Sequence, residues 1–254
     1  MACNAHIESI GKIAIKKFVF FCYLIACVSS CTNTQLDILG VIDDDVNYDF
    51  SSSNQYGNSV ALFGGSIAYC ANICHYYWKD VLNIDLDVYA KAGAGFTIKD
   101  NSILEQVYDA CATNKYDVYL FWCSTNDYTR QAHIYSDWTD NNPFSSQNNG
   151  ILHCIYHIVQ SNPHAKIIFF TSMKCFDENG YTIISRGNSL SLYQYVLGQI
   201  NACYGLGIPV LNQFDQYVFS IDNYKNYYTD YIHPNEMGYE LISRTQALFV
   251  AKAY

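Results

Sequence analysis

The chain has 254 residues, half of them hydrophobic (50%), which is enough apolar material for one sizeable core and too much for a disordered chain. A formal charge of −9 with no basic run lacks the electrostatic footprint of a nucleic-acid binder. Tyrosine is in surplus at 24 residues, and its flat amphipathic ring suits surfaces that stack on sugars or pack against partners.

In chain order, Lys12, Lys16 and Lys17 precede an apolar run over 18–28 that is too short to span a bilayer comfortably and is followed by small residues. This is the layout of a secretory signal over residues 1–30. Its end, Val28-Ser29-Ser30-Cys31, is similar to a bacterial lipobox, in which cleavage before the cysteine leaves Cys31 to carry a lipid anchor. An ordinary signal peptide cut nearby, or an anchor helix left in place, is the alternative. The lead before Lys12 is long, so a start codon downstream of Met1 is a further expectation. Export with lipidation predicts a domain tied to the cell envelope, on its periplasmic or surface face, in an oxidising compartment. Residues 31–58 are polar and turn-rich and read as a tether and surface arm, with Asp43-Asp44-Asp45 a solvated loop rather than a calcium site.

From residue 59 the pattern becomes an alternation of short apolar runs and amphipathic segments. The runs predict strands over 59–63, 86–91, 117–123, 166–172 and 209–214, and the segments predict helices over 67–80, 100–112, 150–161, 189–204 and 235–251. Repeated β-α units imply a mostly parallel five-stranded sheet covered on both faces, a doubly wound, flavodoxin-like α/β fold with three α/β/α layers. One domain over 59–254 is expected. Residues 128–149, rich in aromatic, Asp and Asn residues, form a long insertion after the third strand, a place where loops tend to carry binding.

In a parallel sheet the carboxyl ends of all strands lie on one edge, where ligands bind. Each strand end here carries candidate chemistry. The first breaks at Gly64-Gly65, a turn that a side chain would obstruct, and delivers Ser66 to a helix start, as a nucleophile or as a plain N-cap. The second is followed by Ala92-Gly93-Ala94-Gly95-Phe96-Thr97, able to present a bare backbone N–H, and the third by Ser124-Thr125-Asn126-Asp127, with an amide side chain. After the fifth, just before the last helix, comes Asp230-Tyr231-Ile232-His233-Pro234. Three positions allow Asp230 to reach around a turn to the imidazole of His233, the arrangement of a base and its orienting acid.

Together these blocks resemble the SGNH hydrolases, the GDSL-type esterases and lipases, from about Ser59 to the C-terminus. Gly64-Gly65-Ser66 stands where the family has Gly-Asp-Ser, and Gly95-Phe96-Thr97 matches its Gly-x-Thr, with Gly93 as the fallback glycine. Ser124-Thr125-Asn126-Asp127 stands for Gly-x-Asn-Asp, and Asp230 to Pro234 is an intact Asp-x-x-His-Pro. The departures are Gly65 for aspartate and Ser124 for glycine. The resemblance implies a serine esterase without cofactor or metal: Ser66 as nucleophile, His233 as base, Asp230 as its partner, and an oxyanion hole from the N–H groups of Ser66 and Gly95 with the Asn126 amide. Its expected substrates are small acyl esters such as acetyl groups on carbohydrate, because the family includes carbohydrate deacetylases. Lipase, lysophospholipase or thioesterase activity is the alternative within this chemistry.

Two further readings compete with it. A non-catalytic glycan-binding lipoprotein would keep the fold with the serine silenced by Gly65. An α/β-hydrolase would need Gly-x-Ser-x-Gly, which Ala68 breaks. Outside the signal and Cys31, the cysteines are Cys70, Cys74, Cys111, Cys123, Cys154, Cys175 and Cys203, an odd set expected to act mostly as small core hydrophobes. Cys70, Cys74 and His75, and His153, Cys154 and His157, have helical spacing, but without a Cys-x-x-Cys pair a zinc site is not expected.

Overall fold

The computed structural model describes residues 59–136, 140–177, 190–217, 219–220 and 222–253. The signal segment, Cys31 and the tether over 31–58 lie outside the described residues. The strands are β1 (Ser59–Gly64), β2 (Asp85–Val88), β3 (Val118–Trp122), β4 (Lys166–Phe170) and β5 (Val210–Leu211). They form one sheet in the order β2-β1-β3-β4-β5, and every neighbouring pair is parallel. The sequence order reverses at β1, which has β2 on one side and β3 on the other.

Nine helices occur among the described residues: α1 (Ser66–Tyr69), α2 (Asn72–Leu82), α3 (Ile103–Thr113), α4 (Asn126–Thr129), α5 (Gln147–Ser161), α6 (Leu192–Tyr204), α7 (Gln213–Gln216), α8 (Tyr224–Tyr227) and α9 (Glu236–Lys252). β1, β3 and β4 read as unbroken apolar runs because both of their faces are covered. Val60, Leu62, Leu120, Trp122, Ile168 and Phe170 pack with Cys74 and Trp78 of α2 and with Tyr239, Ile242 and Phe249 of α9. On the opposite face Phe63, Phe121 and Phe169 form an aromatic row, with Phe121 and Phe169 stacked at 4.4 Å, and Phe96 lies over both. The three-layer expectation therefore holds, with an all-parallel sheet.

The pattern differs from expectation in several places: β2 ends at Val88 rather than 91, and the short helices α4, α7 and α8 are additional. The helix expected over 67–80 is broken at Cys70 and Ala71 into α1 and α2. In a continuous helix the Ile67 carbonyl would pair with the Ala71 N–H; here it accepts the Tyr239 hydroxyl from α9 at 2.9 Å. The fifth strand is two residues long, because Asn212 already caps α7 through the Asp215 N–H. The short helix α4 runs from the block after β3 into the insertion, and Ser146, within the insertion, caps α5 by accepting from the Asn149 N–H.

Candidate active site

The serine turn depends on space rather than on unusual dihedrals. Gly65 has φ −96° and ψ −155°, extended backbone open to any residue. A Cβ on Gly64, however, would lie 2.4 Å from the Trp122 carbonyl oxygen, and one on Gly65 would lie 2.5 Å from the Ser124 Cβ. Gln106 on α3 clamps the turn: the Gly64 N–H donates to Gln106 Oε1 and Gln106 Nε2 donates to the Gly64 carbonyl, both at 3.0 Å. Ser66 is then the first residue of α1, half-buried, with Gly65 in the N-cap position. Since α1 has only four residues, it offers its free N–H groups but little of a long helix's dipole.

His233 and Asp230 reach Ser66 from the loop between α8 and α9. An isolated bridge pairs Tyr228 with Pro234, and the Thr229 N–H donates to the His233 carbonyl at 2.9 Å, so the loop closes tightly around Asp230 to His233. His233 Nε2 lies 2.8 Å from Ser66 Oγ, and His233 Nδ1 lies 2.8 Å from Asp230 Oδ2. The second carboxylate oxygen, Asp230 Oδ1, accepts the N–H groups of Ile232 at 2.7 Å and His233 at 2.6 Å. Partial burial pushes the Asp230 carboxyl up, but the donors from His233 and Ile232 outweigh it and hold the group below its ordinary value. The expected trio is thus in contact in the expected order.

The other two blocks meet beside the serine turn. Asn126 Nδ2 donates to the Ala94 carbonyl at 2.8 Å, and both atoms lie close to where a Gly65 Cβ would be, at 3.1 and 3.2 Å. Gly95 is buried against Asp127, whereas Gly93 is exposed, has φ +79° and faces open space. Gly93 is therefore a turn residue, and Gly95 is the glycine next to the site. Ser66 follows β1 and Asn126 follows β3, so the site sits at the point where the strand order reverses, the usual ligand position in an open parallel sheet.

Several supporting residues were not assigned a role from the sequence. Asp127 is 1% exposed; its carboxylate accepts the Phe96 N–H at 3.0 Å, the Thr97 N–H at 2.9 Å and the Thr97 hydroxyl at 2.6 Å, tying the Gly95 loop to α4. Burial raises its carboxyl against the pull of those donors. A carboxylate directly after an apolar strand and Asn was a usable signal for this. Gln106 and Tyr239 had none, since both sit within ordinary helical patterns. Five of the seven cysteines among the described residues are buried, Cys70, Cys74, Cys111, Cys123, Cys154 and Cys203 are free thiols, and no group of three His, Cys, Asp or Glu side chains there could hold a metal ion.

No protein-family model and no curated protein matches the chain. Solved structures do. A protein from Lactobacillus plantarum has a TM-score of 0.67 at 16% identity, covering 78% of this chain and 98% of its own. A lipase/acylhydrolase from Enterococcus faecalis has 0.56 at 14%, covering 76% and 95%, and an acetylxylan esterase from Geobacillus stearothermophilus 0.53 at 13%, covering 77% and 95%. A member of the lipolytic G-D-S-L family from Veillonella parvula also matches, so the fold is the one found among SGNH-type hydrolases.

Proposed function

We propose that this chain is a serine ester hydrolase of the SGNH type. The observation that carries this reading is the continuous relay Ser66 Oγ–His233 Nε2 and His233 Nδ1–Asp230 Oδ2, 2.8 Å at each step, at the carboxyl edge of the sheet. In the mechanism, Ser66 Oγ attacks the ester carbonyl while His233 Nε2 takes its proton. Asp230 holds the Nδ1–H tautomer and stabilises the imidazolium. The N–H groups of Ser66 and Gly95 and one hydrogen of Asn126 Nδ2 receive the oxyanion; the other hydrogen is engaged by Ala94. Collapse breaks the C–O bond, His233 returns the proton to the departing alcohol, and water then cleaves the acyl-serine by the same path in reverse.

Acetyl-type esters on carbohydrate are the substrates we favour. An acetylxylan esterase shares the fold, and Tyr69 and Tyr231, exposed at 55% and 44%, flank the serine and histidine in sequence with rings free to stack on sugar. The lipobox-like Cys31 extends the proposal to an exported enzyme anchored by lipid, which metabolic labelling with a palmitate analogue and loss of label in Cys31→Ala would test. The core experiment is hydrolysis of p-nitrophenyl acetate and of acetylated xylo-oligosaccharides by purified wild type and Ser66→Ala, with mass analysis after a fluorophosphonate. Turnover and a Ser66 adduct in wild type alone are expected; equal turnover by both proteins, or no adduct, overturns the reading. Preference for long-chain esters would redirect it to lipase chemistry.

A further inference from the structure

The two departures from the motif pattern, Gly65 and Ser124, are in contact. A Cβ on Gly65 would lie 2.5 Å from the Ser124 Cβ, closer than real Cβ atoms approach, so the volume that a side chain at 65 would need is filled by Ser124. Ser124 is buried. Its hydroxyl donates to the Ala94 carbonyl at 2.7 Å and accepts the Asn126 N–H at 3.3 Å, and its own carbonyl accepts the Ser172 hydroxyl at 2.7 Å. Asn126 Nδ2 donates to the same Ala94 oxygen.

The Ala94 carbonyl and the Gly95 N–H belong to one peptide plane, so fixing the oxygen fixes the direction of that N–H. The Asn126 amide is also planar: one hydrogen held by Ala94 sets the direction of the other. A single carbonyl therefore aligns two of the three oxyanion donors, and Ser124 holds that carbonyl.

From this geometry we infer that Ser124 is a positioning residue for the oxyanion site, and that positions 65 and 124 are a coupled pair in which only one can carry a side chain. The inference rests on the serine-esterase reading. Ser124→Ala keeps the Cβ and removes the hydroxyl: kcat for p-nitrophenyl acetate should fall about tenfold with KM within about twofold, the loss persisting at temperatures well below a modestly lowered thermal midpoint, the signature of lost alignment rather than lost fold. Gly65→Ala should lose both activity and stability to the collision. Gly65→Ala with Ser124→Gly removes the 2.5 Å collision, leaves the new Cβ 3.1 and 3.2 Å from Asn126 Nδ2 and the Ala94 oxygen, and should recover part of both. An active wild type with Ser124→Ala unchanged in kcat, or a double variant no better than Gly65→Ala, overturns the inference alone. A wild type without turnover and without a phosphonate adduct overturns the esterase reading, and the inference with it.

Discussion

The side-chain amide of Gln106 pairs with both main-chain groups of Gly64, two hydrogen bonds of 3.0 Å that bind helix α3 to the last residue of β1. Gly64 stands two residues before Ser66, so this buried pairing fixes where the serine turn begins. Gln106→Leu leaves the Gly64 N–H without a partner in a buried site, while the Gly64 carbonyl keeps the Lys91 N–H at 3.1 Å. The expected cost is about 1–3 kcal/mol in urea unfolding. Gln106→Glu retains the acceptor for the Gly64 N–H and should fall between wild type and Gln106→Leu in ester turnover. Equal stability of all three proteins would contradict the clamp.

Asp230 offers a test of tautomer control. An amide at this position presents an N–H₂ donor where Oδ2 now meets Nδ1, which forces the proton of His233 onto the nitrogen facing Ser66. Asp230→Asn should lower kcat by about 10² to 10⁴-fold, and by more than Asp230→Ala, where water can take the place of the carboxylate. The lowered Asp230 pKa has a definite sign: its contribution to stability is present above the ordinary carboxylate value and is lost as pH falls through the lower folded value. Denaturation midpoints of wild type and Asp230→Asn should therefore converge only below about pH 4.

Much of this site was legible because Ser66, Gly95 and Asn126 follow strands, and Asp230 and His233 directly precede the last helix, at places the hydropathy pattern locates. Ser66, Gly95, Asn126, Asp230 and His233 are all adjacent to recognisable breaks in that pattern. What was not legible depends on contacts between distant segments. Helical spacing over 67–80 carries no sign of the break at Cys70 and Ala71, because the Ile67 carbonyl is taken by Tyr239, 172 positions away. Gly65 and Ser124 read as two unrelated departures until the sheet sets β1 beside β3. Gln106 and Gln199 lie within amphipathic stretches and Gln213 near the end of an expected strand, and all three are 0–1% exposed, so burial could not be inferred from residue type.

His75 predicts a pH dependence away from the site. It is 8% exposed, its Nε2 is buried without a hydrogen bond, and it packs against Trp78. Burial lowers its pKa from 6.5 to about 4, against the opposing pull of a hydrogen bond to the Ala68 backbone. The unfolded chain therefore binds a proton at a pH where the folded one does not, and stability rises with pH between about 4 and 6.5. The full effect is about 3 kcal/mol. His75→Phe should remove that slope, so the difference in unfolding free energy between the two proteins should change across this window and stay flat above pH 7. A constant difference would refute the assignment.

Gly150 gives a prediction in which helix propensity and packing oppose each other. It lies inside α5, where alanine is ordinarily favoured over glycine by about 1 kcal/mol. A Cβ here would meet the Phe96 carbonyl oxygen at 2.6 Å, the Phe96 Cβ at 2.8 Å and the Phe96 carbonyl carbon at 3.1 Å. Two of these are backbone atoms of the segment that Asp127 already pins through the Phe96 and Thr97 N–H groups, so the collision cannot be relieved by turning a side chain. Overpacking of this kind costs about 1–3 kcal/mol and exceeds the propensity gain. Phe96 follows Gly95, so any relief moves the backbone next to the proposed oxyanion donors. Gly150→Ala should therefore lower both the thermal midpoint and kcat, with the loss of kcat persisting well below the melting temperature. A stabilised variant of full activity would show that α5 can move away from the Gly95 loop, and that this contact does not hold the site in place.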